Sequence, residues 1–153
     1  MDAIMVVQSA CIEPTAFITA IWSGEEWKTS WDQILDVIID YDDGEHQALR
    51  LKINWQGEPV DLSVMRFRNS PTQVEFFCPC PPKELNRQVG TWSAETQADG
   101  NSILKATRNI VLARKWSEAD VAYRYRSERY CEILRERLRL ILLSFSIRMQ
   151  RPC

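Results

Sequence analysis

The chain has a single histidine, His46, in 153 residues. Any Ser-His-Asp or Cys-His nucleophile system would have to rest on it alone. It follows the acidic turn Asp42-Asp43-Gly44, where a solvated loop residue is expected. Long apolar runs are missing too. The strongest apolar cluster, residues 133–147, is interrupted by Arg135, Glu136, Arg137 and Arg139, which excludes a membrane span. The opening residues Met1-Asp2-Ala3-Ile4-Met5 lack the basic start and apolar core of a secretory signal, so the cytoplasm is the expected compartment. The five cysteines, Cys11, Cys78, Cys80, Cys131 and Cys153, are odd in number and scattered. Cys78-Pro79-Cys80 is one residue short of a Cys-x-x-Cys site, and reduced, mostly buried thiols are expected. No set of donors has metal-ligand spacing, so neither a metal nor a cofactor is expected. No basic run is interleaved with exposed aromatics and no recognition-helix or finger motif occurs, which argues against nucleic acid.

What the chain does have is enough length for one domain with a real core, placed at residues 1–147 with a short tail at 148–153. It also has six tryptophans, which suit a core, a pocket wall or an interface. Glu13-Pro14-Thr15 opens a helix running to Trp22, whose apolar face is Phe17, Ile18, Ile21 and Trp22. Residues 4–12 read as a first strand. Turn-spaced alternation then predicts a meander. Leu35, Val37, Ile39 and Tyr41 should share a face, as should Leu49, Leu51, Ile53 and Trp55. The same holds for Val60, Leu62, Val64 and Arg66, and for Val74, Phe76 and Cys78. Pro79-Cys80-Pro81-Pro82 should break the pairing. Residues 89–96 and 103–112 read as a final hairpin around Asp99-Gly100-Asn101. A last helix is expected from an N-cap at Ser117 to about Phe145, with Cys131, Leu134, Leu138, Ile141 and Phe145 as its buried stripe. Arg135, Arg137 and Arg139 should solvate its outer face. Charge is uneven: residues 1–62 hold twelve acids and three bases, residues 63–153 nine acids and sixteen bases. A basic half of this kind suits an acidic partner.

Two residues break the apolar alternation. Arg66 falls on the apolar face of its strand, and Arg108 shares parity with Leu104, Ala106, Ile110 and Leu112. An arginine there keeps its charge and must meet carboxylate, water or ligand oxygen. Each is either part of a structural ion pair or strand end, or a fixed cation aimed into a cavity.

Strand, two short helices, curved sheet and long C-terminal helix is a helix-grip order, an α+β fold with about six to seven antiparallel strands enclosing a pocket. Several local patterns agree with it. They are Ser23-Gly24-Glu25-Glu26-Trp27 before Asp36-Val37, Val64-Met65-Arg66 before Pro71, Val89-Gly90-Thr91-Trp92, Thr107-Arg108-Asn109, Arg126-Ser127, and Leu134-Arg135-Glu136-Arg137-Leu138. In that order they resemble the START-like (SRPBCC) superfamily, and within it the bacterial polyketide cyclase/dehydrase group of aromatase/cyclases. Ile34, Arg108 and Arg126 depart from that group, which tends to have tyrosine, glutamine and asparagine there. The extra arginine implies a different or more anionic ligand.

The resemblance implies cyclisation and dehydration of a poly-β-ketone bound to an acyl carrier protein. Arg66 and Arg108 would be catalytic. Trp27, Trp31, Ile34, Val64, Phe76, Trp92, Ser127, Cys131 and Leu134 would line the substrate site. Some of Arg114, Lys115, Arg124, Arg126 and Arg129 would meet the carrier. Two other readings stay open: a non-catalytic START-like module that binds or carries a lipid or other hydrophobic small molecule, and an interaction domain with a filled core. A homodimer is compatible with all three.

Overall fold

The computed structural model describes residues 2–150, with side chains from Ala10 onward. Its element order is β1 (Asp2–Ala10), α1 (Pro14–Trp22), α2 (Gly24–Ser30), β2 (Ile34–Asp42), β3 (His46–Trp55), β4 (Glu58–Ser70), β5 (Gln73–Cys80), β6 (Leu85–Thr96), β7 (Ser102–Leu112) and α3 (Asp120–Met149). The strands form one 7-stranded antiparallel sheet in the order β1-β7-β6-β5-β4-β3-β2. Because β1 and β2 lie on opposite edges, α1 and α2 must carry the chain across between them. The long α3 packs on the same side, against β1 and β7. A helix of this length spans about 45 Å, enough to cross the whole sheet.

Local chemistry sets the boundaries. Glu13 caps α1 by accepting the Ala16 N–H at 3.0 Å, Pro14 occupies the first turn where no donor is needed, and the Ser23 N–H closes the far end on the Thr19 and Ala20 carbonyls. Phe17, Ile18 and Ile21 then face the core, fully buried. In β7 every second residue is buried, from Ser102 to Leu112, so one sheet face is sealed and the other half-open. On α3 the stripe Cys131, Leu134, Leu138, Ile141 and Phe145 is buried as its spacing requires.

The structure differs from the sequence expectations at several places. The last helix begins at Asp120 rather than after a Ser117 cap. Ser117 instead adopts a left-handed φ of 56° in a turn. That turn is fixed by the Glu118 carboxylate, which accepts the Lys115 N–H at 3.0 Å and the Arg126 guanidinium at 2.9 Å. The helix also runs on to Met149, and residues 151–153 lie outside the described residues. Strand β6 starts at Leu85, four residues before the expected 89, because the Leu85 N–H finds the Pro82 carbonyl and the Ala113 N–H finds Glu84. Pro79 does not end β5. The β5–β6 ladder stops at Phe77, so no β6 carbonyl is left waiting for the missing donor, and the break falls at Pro81-Pro82.

The expected shared face of β2 is also broken. Register shifts between Ile34 and Asp36 and between Ile39 and Tyr41 rotate the strand, leaving Leu35, Ile39 and Tyr41 exposed and Ile34 buried. Arg137 does not solvate the outer helix face with Arg135 and Arg139. It turns in, half-buried, over the Trp55 ring. Finally, Cys78 and Cys80 are free thiols, but Cys11 is disulfide-bonded, against the expectation of reduced cysteines. Cys153 lies outside the described residues.

Candidate ligand cavity

The alternating faces of β3 to β7 put Leu51, Ile53, Val64, Phe76, Cys78 and Trp92 on the concave side of the sheet, under α3. They do not fill the space. A cavity of about 450 Å³ remains between sheet and helix, in the range of small-molecule sites. One end is closed where α1, α2, α3 and β6 meet. There Trp27 stands edge-to-face with Trp92 at 5.3 Å and with Phe145 at 5.5 Å, and Phe145 with Phe17 at 5.8 Å. The other end opens between exposed Glu58, Pro59, Asp61, Lys83 and Glu84. Trp55 and Tyr130 flank it, ring centroids 5.4 Å apart. Arg137 lies 5.0 Å over Trp55 and donates to Gln33 Oε1 at 3.2 Å.

Both arginines point into this space, buried: Arg66 is 3% exposed and Arg108 6%. Strand register explains their relation. Gln47 pairs with Arg66, Arg66 with Phe76, Phe76 with Gly90, and Gly90 with Arg108, one row running straight across β3 to β7. Three strand spacings, about 14 Å, separate the arginine backbones. The side chains shorten that gap. The Arg108 guanidinium lies 4.4 Å over the Phe76 ring and 4.5 Å over the Trp92 ring, so it extends across β6 towards β5. It can do so because residue 90 is glycine. A Cβ there would overlap the Thr107 carbonyl oxygen and come within 2.9 Å of Arg108 Cδ and Nη1.

Neither guanidinium forms an ion pair with a carboxylate among the described residues. Arg66 donates to the Ile21 carbonyl at the end of α1, which also accepts the Trp27 indole N–H at 2.7 Å, and it lies 5.6 Å over the Trp27 ring. It therefore helps cap α1, where the helix dipole favours a cation. Asp42 supports it electrostatically, though that carboxylate is bonded to Trp22 Nε1 and Gln47. Arg108 Nη1 donates to the Thr107 carbonyl at 2.6 Å and reaches Thr91 at 3.4 Å. Burial pushes Arg66 down to about 10. Burial, with repulsion from Arg66, pushes Arg108 down to about 9. Both stay charged at neutral pH. Burial raises the Cys78 thiol to about 11, so it supplies neither a thiolate nor a counter-charge. Burial also raises Tyr130, which keeps its hydroxyl as a proton donor.

Of the residues expected at the site, Arg66, Arg108, Trp27, Trp31, Val64, Phe76, Trp92 and Leu134 line the cavity together. Ile34, Ser127 and Cys131 do not. Ile34 is packed in the core at the start of β2, opposite Ile53. Ser127 and Cys131 lie on the side of α3 turned to the sheet, whereas Tyr130, Leu134, Arg137 and Ile141 face the cavity. Tyr130 and Arg137 were missed. The signal was available, since 130, 134, 137 and 141 repeat at spacings of four, three and four along one edge of the buried stripe. Of the basic residues near the start of α3, Arg126 is held by Glu118 and the Ala113 carbonyl, Arg114 by Asp120 and Arg129 by Glu132. Lys115 and Arg124 carry no ion pair among the described residues.

A sheet wrapped around a long C-terminal helix with a cavity between them defines a helix-grip fold. Particular solved structures share it. A Thermus thermophilus protein, TTHA0849, superposes with a TM-score of 0.79 at 13% identity, over 97% of each chain. The Zhui aromatase/cyclase of Streptomyces sp. R1128 has a TM-score of 0.75 at 12% identity, covering 94% of this chain and 93% of that one. A START superfamily protein of Mycobacterium smegmatis has a TM-score of 0.67 at 13% identity, over 90% and 94%. At these identities the likeness is one of fold. No protein-family model matches the chain, and no curated protein sequence does either. No helix among the described residues is long and apolar enough to cross a membrane.

Proposed function

We propose that the cavity folds a poly-β-ketone, presented on an acyl carrier protein, and closes a ring by aldol addition with loss of water. The observation that carries this reading is the pairing of an aromatic cavity with two buried guanidiniums that lack a carboxylate partner among the described residues. The likeness of fold to an aromatase/cyclase supports it. In the addition, an enolate carbon bonds to a ketone carbon and the carbonyl electron pair moves to oxygen. Arg66 holds that developing oxyanion, and a proton from water or the substrate enol neutralises it. Loss of the new hydroxyl and an adjacent proton as water then gives the conjugated ring. The walls Trp27, Trp31 and Trp92 hold the reacting carbons together and exclude bulk water. Lys115 and Arg124, the cations near the start of α3 without an ion pair among the described residues, are the surface for an acidic carrier.

The test is product analysis on a carrier-bound poly-β-ketone. Arg66→Ala should lower the rate of the cyclised product by about two to three orders of magnitude, as for loss of an oxyanion donor. Arg66→Lys should recover little, because a point charge lacks the planar fork. An unchanged product profile with and without the protein would sink the proposal. One observation favours a second reading, binding without turnover. The carboxylates at the cavity, Glu58, Asp61 and Glu84, are all exposed at its mouth, and His46 is not in its lining, so no base stands inside among the described residues. Recovery of an unaltered bound ligand would select it.

A further inference from the structure

Arg108 is an unfavourable residue to keep where it is. It is buried and it repels Arg66. No carboxylate among the described residues pairs with it. Arg66 has the α1 carbonyl end and Asp42 nearby, whereas Arg108 has two backbone carbonyls and two aromatic rings. A fixed charge in low-dielectric surroundings costs stability unless something compensates it. The fold nevertheless accommodates it with care: residue 90 has no side chain, which opens the space for Arg108 Cδ and Nη1. Nη1 is taken up by Thr107 and Thr91. The edge formed by Nε and Nη2 makes no hydrogen bond among the described residues, and that edge is the guanidinium face that accepts a carboxylate through two parallel hydrogen bonds. The rings beside it, Phe76 and Trp92, line the same cavity.

We infer that Arg108 is the anchor for a fixed anionic group on the ligand, so that the cavity prefers planar, conjugated carboxylates or enolates to their neutral counterparts. The inference rests on the reading of the cavity as a ligand site, and not on ring closure. The missing counter-charge is the ligand's own. Arg66 takes a second oxygen further along the same row of the sheet.

The test uses 2-naphthoate and its neutral isostere 2-naphthamide, read by quenching of tryptophan fluorescence and by calorimetry. The naphthoate should bind roughly 10- to 100-fold more tightly, as expected for a charge-assisted pair. Arg108→Gln should bring the two ligands to within about threefold of each other by removing that pair. Without ligand, the same variant should melt a few degrees above the wild type, as expected when a buried uncompensated charge is removed. Arg108→Lys, which keeps the charge but not the fork, should retain only part of the preference, and serves if the glutamine variant does not fold. Equal affinities in the wild type, a preference that survives Arg108→Gln, or no binding of either probe at millimolar concentration would each overturn the inference. Neither probe reacts, so failure of the cyclisation assay leaves these measurements intact, and a lost charge preference leaves that assay intact.

Discussion

Replacing Gly90 with alanine adds one methyl group where β6 passes beneath the Arg108 side chain. The new Cβ would overlap the Thr107 carbonyl oxygen and approach Arg108 Cδ and Nη1 to 2.9 Å. The guanidinium end can swing away, but the carbonyl belongs to the β6–β7 ladder and cannot move without disturbing it. Overpacking of this kind costs about 1–3 kcal/mol. Alanine recovers about 0.5–1 kcal/mol over glycine in a strand, so at mid-range the clash wins by about 1 kcal/mol, and at most by about 2.5 kcal/mol. For a domain of this size the mid-range figure is a fall in melting temperature of about 2–4 °C. Calorimetry or circular dichroism would read it, and titration with 2-naphthoate would report the displaced guanidinium as lost affinity. In an Arg108→Gln background the Nη1 contact disappears but the shorter side chain still carries a Cδ and the carbonyl overlap stays, so the same substitution should cost less without becoming neutral. A Gly90→Ala protein that melts at or above the wild type with unchanged naphthoate affinity would refute the reasoning, because the notch would then not be what positions Arg108.

The pairing at the start of α3 should respond to acid. Hydrogen bonds from Arg126 and from the Lys115 N–H hold the Glu118 carboxyl at about 2, below its usual 4.5, so its contribution is present above pH 4.5 and lost as pH falls through about 2. The melting-temperature difference between wild type and Glu118→Gln should therefore shrink over that window, and a difference independent of pH would count against the account. The two neighbouring thiols of β5 should separate under iodoacetamide at neutral pH. Exposed Cys80 should be alkylated at least about tenfold faster than Cys78, which is buried and pushed up to about 11. Equal rates by peptide mapping would show that the cavity wall opens freely.

Helix α1 was legible to the residue, because Glu13, Pro14 and the spacing of Phe17, Ile18 and Ile21 all act within a turn or two of the chain. The faces of β3, β4, β5 and β7 were legible for the same reason, and with them the inward direction of Arg66 and Arg108. Legibility ended where a partner distant in sequence decides. Glu118 and Arg126 turn Ser117 out of the cap. Bulges on the edge strand rotate Leu35 and Tyr41 into solvent. Packing of α3 on β1 and β7 turns Ser127 and Cys131 away from the cavity and Tyr130 into it.

The sequence by itself determined the order of elements, the alternation that makes a one-sided sheet, and the presence of two arginines on its apolar face. Those are consequences of helix and strand periodicity, which each short segment carries alone. Only the tertiary structure decided that Arg66, Phe76, Gly90 and Arg108 fall in one row across four strands. It alone decided that the glycine lets one guanidinium cross its neighbour, and that a space of about 450 Å³ is left above them. Register between strands and the volume left unfilled by facing side chains depend on all the strands and α3 at once, and no single segment holds that information.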